Sequence, residues 1–456
     1  MNEPKESSSK SNMLTGSLWD KIILFSLPLA ASNILQQLFN SVDVAVAGRF
    51  AEDGALGAVG ANTAIIALII NLLTGLALGT NVVIATLIGQ GRKGDVPKVV
   101  HTSITIGIIM GIVITILGIP MARQMLILTG THESILDLAT LYLRIYFIGM
   151  PFILVYNFGA AILRSIGNTK LPMYALIISG IINTCLNLVL VIVFHMGVAG
   201  VAVATVVSTV ISAVIVVISL LNQKDDWIRL NLHELKIDKH YLKKVIQIGA
   251  PAGLQGALFS ISNVFIQTGI NSFGPNATAG SSVGLNFEYF SFYMASSFSQ
   301  AAITFAGQNY GAGDIKRCRK ICRLCIIFAV LFTEAMSITF GIFRTPLASL
   351  YTSKSLDIEF AVTRMMNVML FEGMVALYEV PGGIMRSMGH SYMSSIIAIF
   401  GTVVFRIIWL NTVFKICNSF EMLMIVYPIS WILITVIMVP AYLVVIKQEE
   451  RRIKAA

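Results

Sequence analysis

Twelve long apolar runs, divided by short polar or Gly/Pro-rich connections, constrain this chain more than any other feature: about 20–49, 54–89, 98–122, 136–163, 172–194, 198–222, 246–272, 277–310, 323–343, 358–385, 391–415 and 421–446. Roughly 20 apolar residues make a helix long enough to cross the hydrocarbon core, where each backbone N–H and C=O must be satisfied within its own segment. The runs predict an all-α polytopic membrane protein with twelve transmembrane helices. Shared among twelve spans, 456 residues allow 38 for each span and its connection, which leaves no length for a soluble enzyme domain. With 56% hydrophobic residues against 12% charged ones, a water-exposed or disordered chain is excluded as well. The first run, from Ile22, is too long and too rich in amides for a cleaved leader and reads as a span.

An even number of spans puts both termini on one side. With the N-terminus inside, 24 of the 32 Lys and Arg residues face the cytoplasm, and only Arg49, Arg123, Arg344, Lys354 and Lys415 face the other way. Arg144, Arg364 and Arg406 lie within spans. The asymmetry follows the positive-inside rule, so residues 1–19 and 447–456 are expected as cytoplasmic tails of a protein in the plasma (inner) membrane. It also accounts for the net charge of +9 without nucleic acid, the basic runs facing anionic headgroups.

The chain repeats itself at half its length. Pro28, Asn40 and Phe50 recur as Pro251, Asn263 and Phe273, a shift of 223, and Gly60 and Asn62 recur as Gly284 and Asn286 at 224. The segment YNFGAAILRSIG at Tyr156–Gly167 returns as YEVPGGIMRSMG at Tyr378–Gly389, shifted by 222. Each half then carries six spans, 20–222 and 246–446. Since six is even, the halves are parallel and related by a pseudo-twofold axis along the membrane normal, with a cleft between two facing lobes. The mixed-charge segment 223–245 reads as a cytoplasmic linker, partly an amphipathic helix at the interface.

Polar groups inside spans are the candidate sites. On the first span Asn33, Gln36, Gln37, Asn40 and Asp43 follow at spacings of 3, 1, 3 and 3, which gathers them within about a third of the helix circumference. The amides alone read as an interhelical seam, each contact worth about 0.6 kcal/mol. Asp43 points to function, because an ionised carboxylate at the bilayer centre costs on the order of 2.5–3.5 kcal/mol and so faces a partner or a wet cavity. Asn40 one turn before it, Asn183 and Asn187, four apart on the fifth span, and Thr205, Ser208, Thr209 and Ser212 on the sixth are its candidate partners, with Asn40, Asn183, Asn187 and Thr205 the candidates to share the coupled ion. These neutral groups suit a proton, or a small cation such as Na+. Pro28, fifteen residues before Asp43, is either a hinge or a static kink.

In the second half Glu288 sits within NFEYFSFY, Glu372 and Glu379 share a face seven residues apart, and Glu334 lies in the ninth span, with Arg406 a candidate salt partner for one of them. Together with Gln36 and Tyr293, Glu288, Glu372 and Glu379 are candidates for a substrate cleft, since acids beside aromatics and adaptable methionines suit flat lipophilic cations. Ordinary lipid-facing packing accounts for most of the aromatics. The five cysteines are an odd number and form no disulfide framework; Cys318, Cys322 and Cys325 share one face of a span rather than hold an iron–sulfur cluster. The six histidines are dispersed, and no phosphate loop, HExxH motif or catalytic triad occurs. Neither a cofactor nor an enzymatic activity is expected.

Read together, these features resemble the multidrug and toxic compound extrusion (MATE) family, in its DinF-like branch. The resemblance covers essentially the whole chain: FSLPLAASNILQQLFNSVDVAVAGR at its opening, LRSIGNTK and MRSMGHS after spans four and ten, GVAGVAVATVVS on span six and YPISW on span twelve. It implies export of bulky, often cationic, amphipathic small molecules by alternating access, driven by an inward proton or sodium gradient. It further implies that Asp43, below a proline at Pro28, couples the ion, with Asn183, Asn187 and Thr205 in the same site. Many members carry a second aspartate where Asn187 stands here, and span seven lacks the acid that another branch uses. A lipid-linked glycan flippase shares the lobe architecture but has more spans and a more cationic cleft; a membrane enzyme and a passive channel are the remaining alternatives. A monomer is expected.

Overall fold

In a bilayer an apolar segment can satisfy its backbone alone only as a helix, and the apolar runs fold accordingly. The computed structural model describes residues 13–455, so residues 1–12 of the expected N-terminal tail, and Ala456, lie outside the described residues. The first half consists of α1 (Trp19–Phe50), α2 (Ala55–Gly89), α3 (Val96–Leu128), α4 (Glu133–Ile148), α5 (Met150–Ser165), α6 (Lys170–Leu188) and α7 (Gly197–Leu221). The second consists of α8 (Lys239–Asn271), α9 (Pro275–Gly311), α10 (Ile315–Ile342), α11 (Arg344–Ser349), α12 (Ser355–Asn367), α13 (Met374–Ser387), α14 (Ser391–Ile399), α15 (Phe405–Asn411), α16 (Val413–Cys417), α17 (Phe420–Met424) and α18 (Val426–Ala455). Among the described residues there is no strand.

All twelve expected runs coincide with helix, but not all are straight or uniformly apolar. Nine segments among the described residues are each long and apolar enough to span a membrane. Two further runs are bent pairs: α4 and α5 meet at 49°, at Gly149 and Pro151, and α12 with its following turn meets α13 at 45°. The remaining run is α9, 37 residues long and too polar for that test. It needs no lipophilic surface, because α1, α2, α10, α12 and α13 surround it, and Gly280, Gly284, Ser291 and Ala295 along it let those neighbours approach.

Helices of each half pack chiefly on one another, giving separate apolar cores: Leu154, Phe158, Val216 and their neighbours in the first half, and Phe298, Ile321, Met385 and theirs in the second. The opening helix of each half crosses over: Tyr241 and Val245 of α8 belong to the first half's core, and α1 does the reverse. Its opening turns, with Ile22, Phe25 and Leu29, belong to the second half's core, where Phe25 meets Phe305 edge-on at 5.5 Å, whereas its later turns pack on α6. Pro28 lies at this crossover, and the helix runs through it unbroken.

The halves join most extensively along α2 and α8. Gly75 and Gly79 on α2 face Gly249 and Gly253 on α8; a Cβ on Gly249 would stand 2.7 Å from the Gly75 carbonyl oxygen, and one on Gly75 would overlap the Gly253 backbone. Only glycine permits this approach. The connection between the halves corrects one expectation. From Lys239 the expected linker is already α8; the rest, 223–238, forms no amphipathic helix but holds one helical turn, Leu232–Glu234, and straps onto α3: the Asn231 N–H donates to His101 Nε2 at 3.0 Å, the Asp238 N–H to Thr102 Oγ1 at 2.9 Å, and Ile228 and Leu230 are buried.

Candidate functional site

Asp43 points from α1 toward α6 and α7, where polar side chains recur at helical spacing. It is 7% exposed. Asn187 Nδ2 donates to Asp43 Oδ1 and also to Asn183 Oδ1 at 3.2 Å. Thr205 Oγ1 stands 3.4 Å from Asp43 Oδ2 and 3.0 Å from the Val201 carbonyl oxygen, so one hydroxyl proton is shared between two acceptors. Asn183 Nδ2 reaches Ser208 Oγ at 3.5 Å. A π-helical turn, Val189–Val193, begins two residues after Asn187; such turns rotate side chains out of α-helical register and recur at functional sites.

The electrostatics of the cluster are one-sided. No cation pairs with Asp43 among the described residues, and its contacts are neutral amide and hydroxyl donors. Asn187 Oδ1 is buried with no partner, a costly state for an amide acceptor. The stacked rings of Tyr142 and Tyr146 stand beside the carboxylate, and Val46, Ala47, Val201 and Ala202 wall it with apolar surface. No group of three or more His, Cys, Asp or Glu side chains that could hold a metal occurs among the described residues. The oxygens of Asp43, Asn187 and Thr205 are what a small cation would find here. Gln36 and Asn40 do not join the cluster: both are exposed, and among the described residues neither side chain is hydrogen-bonded.

The second half holds a different arrangement. Glu288 is paired with Arg364 at 2.9 Å, and Arg364 also donates to Ser281 Oγ at 2.8 Å. Arg406, the salt partner expected for one of the glutamates, lies instead over the Tyr427 ring at 4.2 Å and reaches Asn263 and Ser430. Arg364 takes that place, and since Arg144, Arg364 and Arg406 all lie within spans, that position alone does not single it out. Glu372 is 2% exposed, and its Oε2 has no partner among the described residues. Glu334 accepts from the Gly373 N–H at 2.8 Å, which caps the break between α12 and α13. Glu379 lies 3.9 Å from Arg386, and Tyr293 stacks on Tyr289. Cys318, Cys322 and Cys325 turn from α10 into the second half's core.

Comparison with known proteins agrees with this architecture. The MatE family model matches residues 28–189 and again 251–410, two matches whose starts are offset by the same 223 residues as the internal repeat. The probable multidrug resistance protein YoeA of Bacillus subtilis (strain 168) is 28% identical over 393 residues, 84% of each chain. The multidrug export protein MepA of Staphylococcus aureus (strain NCTC 8325 / PS 47) is 22% identical over 390 residues, 85% of each. Among solved structures, the outward-facing conformation of a multidrug resistance MATE family transporter superposes with a TM-score of 0.90 at 21% identity, over 98% of this chain and 100% of that one. The Vibrio cholerae MATE transporter VcmN in its bent form gives 0.83 at 22% identity, over 94% and 97%.

Proposed function

The chain belongs to the MatE family of membrane transporters, and from that premise we propose that it exports amphipathic, often cationic compounds by alternating access, an inward gradient of protons, or else of sodium, acting through Asp43. The names of its relatives, multidrug resistance and multidrug export proteins, support such cargo over a lipid-linked glycan. The protein acts as a monomer in the inner membrane with both termini in the cytoplasm.

The observation that carries the reading is a buried carboxylate held by neutral donors, beside an amide oxygen that lacks a partner. As an anion Asp43 accepts from Asn187 and Thr205. Once protonated it must donate, and rotation of the Asn187 amide presents the unpartnered Oδ1 as acceptor, replacing one α1–α6 link by another. A sodium ion calls for the same rotation, since it binds the amide through oxygen. Either ion removes the uncompensated charge, and it biases the lobes only as far as their two arrangements differ in affinity for it. Glu372, with one oxygen free, and Glu379, Glu288, Tyr293 and Gln36 are the proposed cleft contacts for cargo.

The test is transport in proteoliposomes under an imposed proton or sodium gradient. Asp43→Asn should abolish gradient-driven efflux while the protein stays folded in the membrane. Asn187→Asp, which adds a second acid, should raise the dependence on sodium. Efflux at the wild-type rate by Asp43→Asn would move the coupling site elsewhere.

A further inference from the structure

We propose that the start of α10 and the close of α18 together form a binding site for an anionic phospholipid, its phosphodiester headgroup held by cations from both helices and its acyl chains laid along the apolar flank beyond them. The two helices are tied by the ion pair of Arg319 with Glu450. At about 100° per residue, Lys316, Lys320 and Arg323 lie roughly 60°, 100° and 40° round α10 from Arg319. Lys447, Arg451 and Lys454 lie at the same three angles round α18 from Glu450. Because α10 leaves this end of the bundle and α18 returns to it, equal rotations in opposite senses bring both triads to one side of the pair.

Three further observations agree. All six of these side chains are exposed. A surface cleft of about 330 Å³ is lined by Asp314, Ile315 and Lys316 at the start of α10 and by Glu450, Ile453 and Lys454 of α18. The same flank continues away from the charges as apolar surface, with Ile327 57% and Leu331 60% exposed on α10 and Leu443 49% and Val444 52% on α18. Cations within a turn or two of exposed aliphatic residues stand at headgroup depth.

The acids nearby leave the cations unanswered. Glu450 is engaged by Arg319 and by Lys454 at 3.0 Å; Glu449 by His390, Tyr310 and Arg452; and Asp314 accepts from the Arg317 N–H at the start of α10. Lys316, Lys320, Arg323, Lys447 and Arg451 have no carboxylate partner among the described residues. Their mutual repulsion is relieved by an anion, and the adjoining apolar flank selects one that carries acyl chains over a free phosphate.

The inference rests on the membrane setting alone, so it is tested without transport. Full-length protein in detergent is titrated with dioleoyl phosphatidylglycerol, dioleoyl phosphatidylcholine or glycerol 3-phosphate, and bound adducts are counted by native mass spectrometry. Phosphatidylglycerol should bind the wild type, and Lys316→Gln/Lys320→Gln/Arg323→Gln should weaken it at least roughly ten-fold, given a several-fold effect per cation. Lys447→Gln/Arg451→Gln should act in the same direction and supplies the test if the triple variant does not fold. Lys224→Gln/Lys243→Gln, which removes cations from the strap region and α8, should leave binding unchanged. Equal losses in all three variants would reduce the effect to diffuse charge, undiminished binding in the first two would place the lipid elsewhere, and equal binding of glycerol 3-phosphate would remove the role of the flank. Each of these overturns the proposal.

Discussion

Two carboxylates at similar burial do different work because of what faces them. Glu288 meets Arg364 with both groups almost out of solvent, so Glu288→Gln leaves a buried guanidinium without the carboxylate it is paired with. Breaking such a pair from one side costs about 3–5 kcal/mol, while replacing both partners by apolar groups is close to neutral. Glu288→Gln is therefore expected to lower thermal stability in detergent far more than Glu288→Leu/Arg364→Met does. Equal losses would mean that the pair is not coupled. Asp43 has no counter-charge to strand, and Asp43→Asn should leave the melting temperature within a few degrees of wild type while stopping coupled transport. The difference bears on what the residues alone disclose. Asp43 and its amide partners are legible because spacings of three and four put them on facing stripes. Whether Arg364 or Arg406 meets Glu288 is not, because that choice depends on a 45° bend between α12 and α13 that no periodicity encodes.

At the scale of the helix, α1 links the two halves. Its turns before Pro28 are set in the second half's core, and its turns after it carry Asp43 into the first. Pro28 leaves the Leu24 carbonyl without its helical donor, while Ser32 Oγ donates to the Pro28 carbonyl at 2.7 Å, so this turn is held more loosely than its neighbours. Pro28→Ala returns the missing N–H and should stiffen α1 where the halves diverge. Unimpaired insertion with transport slowed several-fold is the expected result in a proteoliposome assay; unchanged transport would mean that α1 moves as a rigid rod. The positions of most helices were readable from hydropathy, because lipid imposes it. The surroundings of α9 were not: a polar helix is tolerated at the centre of a bundle, and its polarity records burial among neighbours that only the packed structure identifies.

At the scale of the whole molecule, polar contacts and a close helix crossing join the two halves at one end. Thr304 Oγ1 donates to Asn81 Oδ1 at 3.1 Å, which ties α9 of the second half directly to α2 of the first. One further polar contact, Gln308 Nε2 to the Ser165 carbonyl oxygen at 2.8 Å, closes the same end, and the Gly75/Gly79 crossing with Gly249/Gly253 makes that closure tight. In the proposed orientation this end is cytoplasmic. The proposed alternation requires these contacts to part. Each hydrogen bond contributes about 0.5–1.5 kcal/mol net, so losing both removes up to about 3 kcal/mol from the closed end. A shift of that size changes the ratio of two states roughly a hundred-fold, enough to invert a modest preference. Thr304→Val/Gln308→Leu is therefore expected to expose the closed end. A cysteine placed at Ala85, against Gly307 in this seam, should react faster with a charged thiol reagent applied from the cytoplasmic side. Adding Asp43→Asn tests whether the first lobe's site feels that shift: if the ion site is linked to closure, the added substitution changes the labelling rate again, and if the rate stays as in Thr304→Val/Gln308→Leu, Asp43 and the gate are uncoupled.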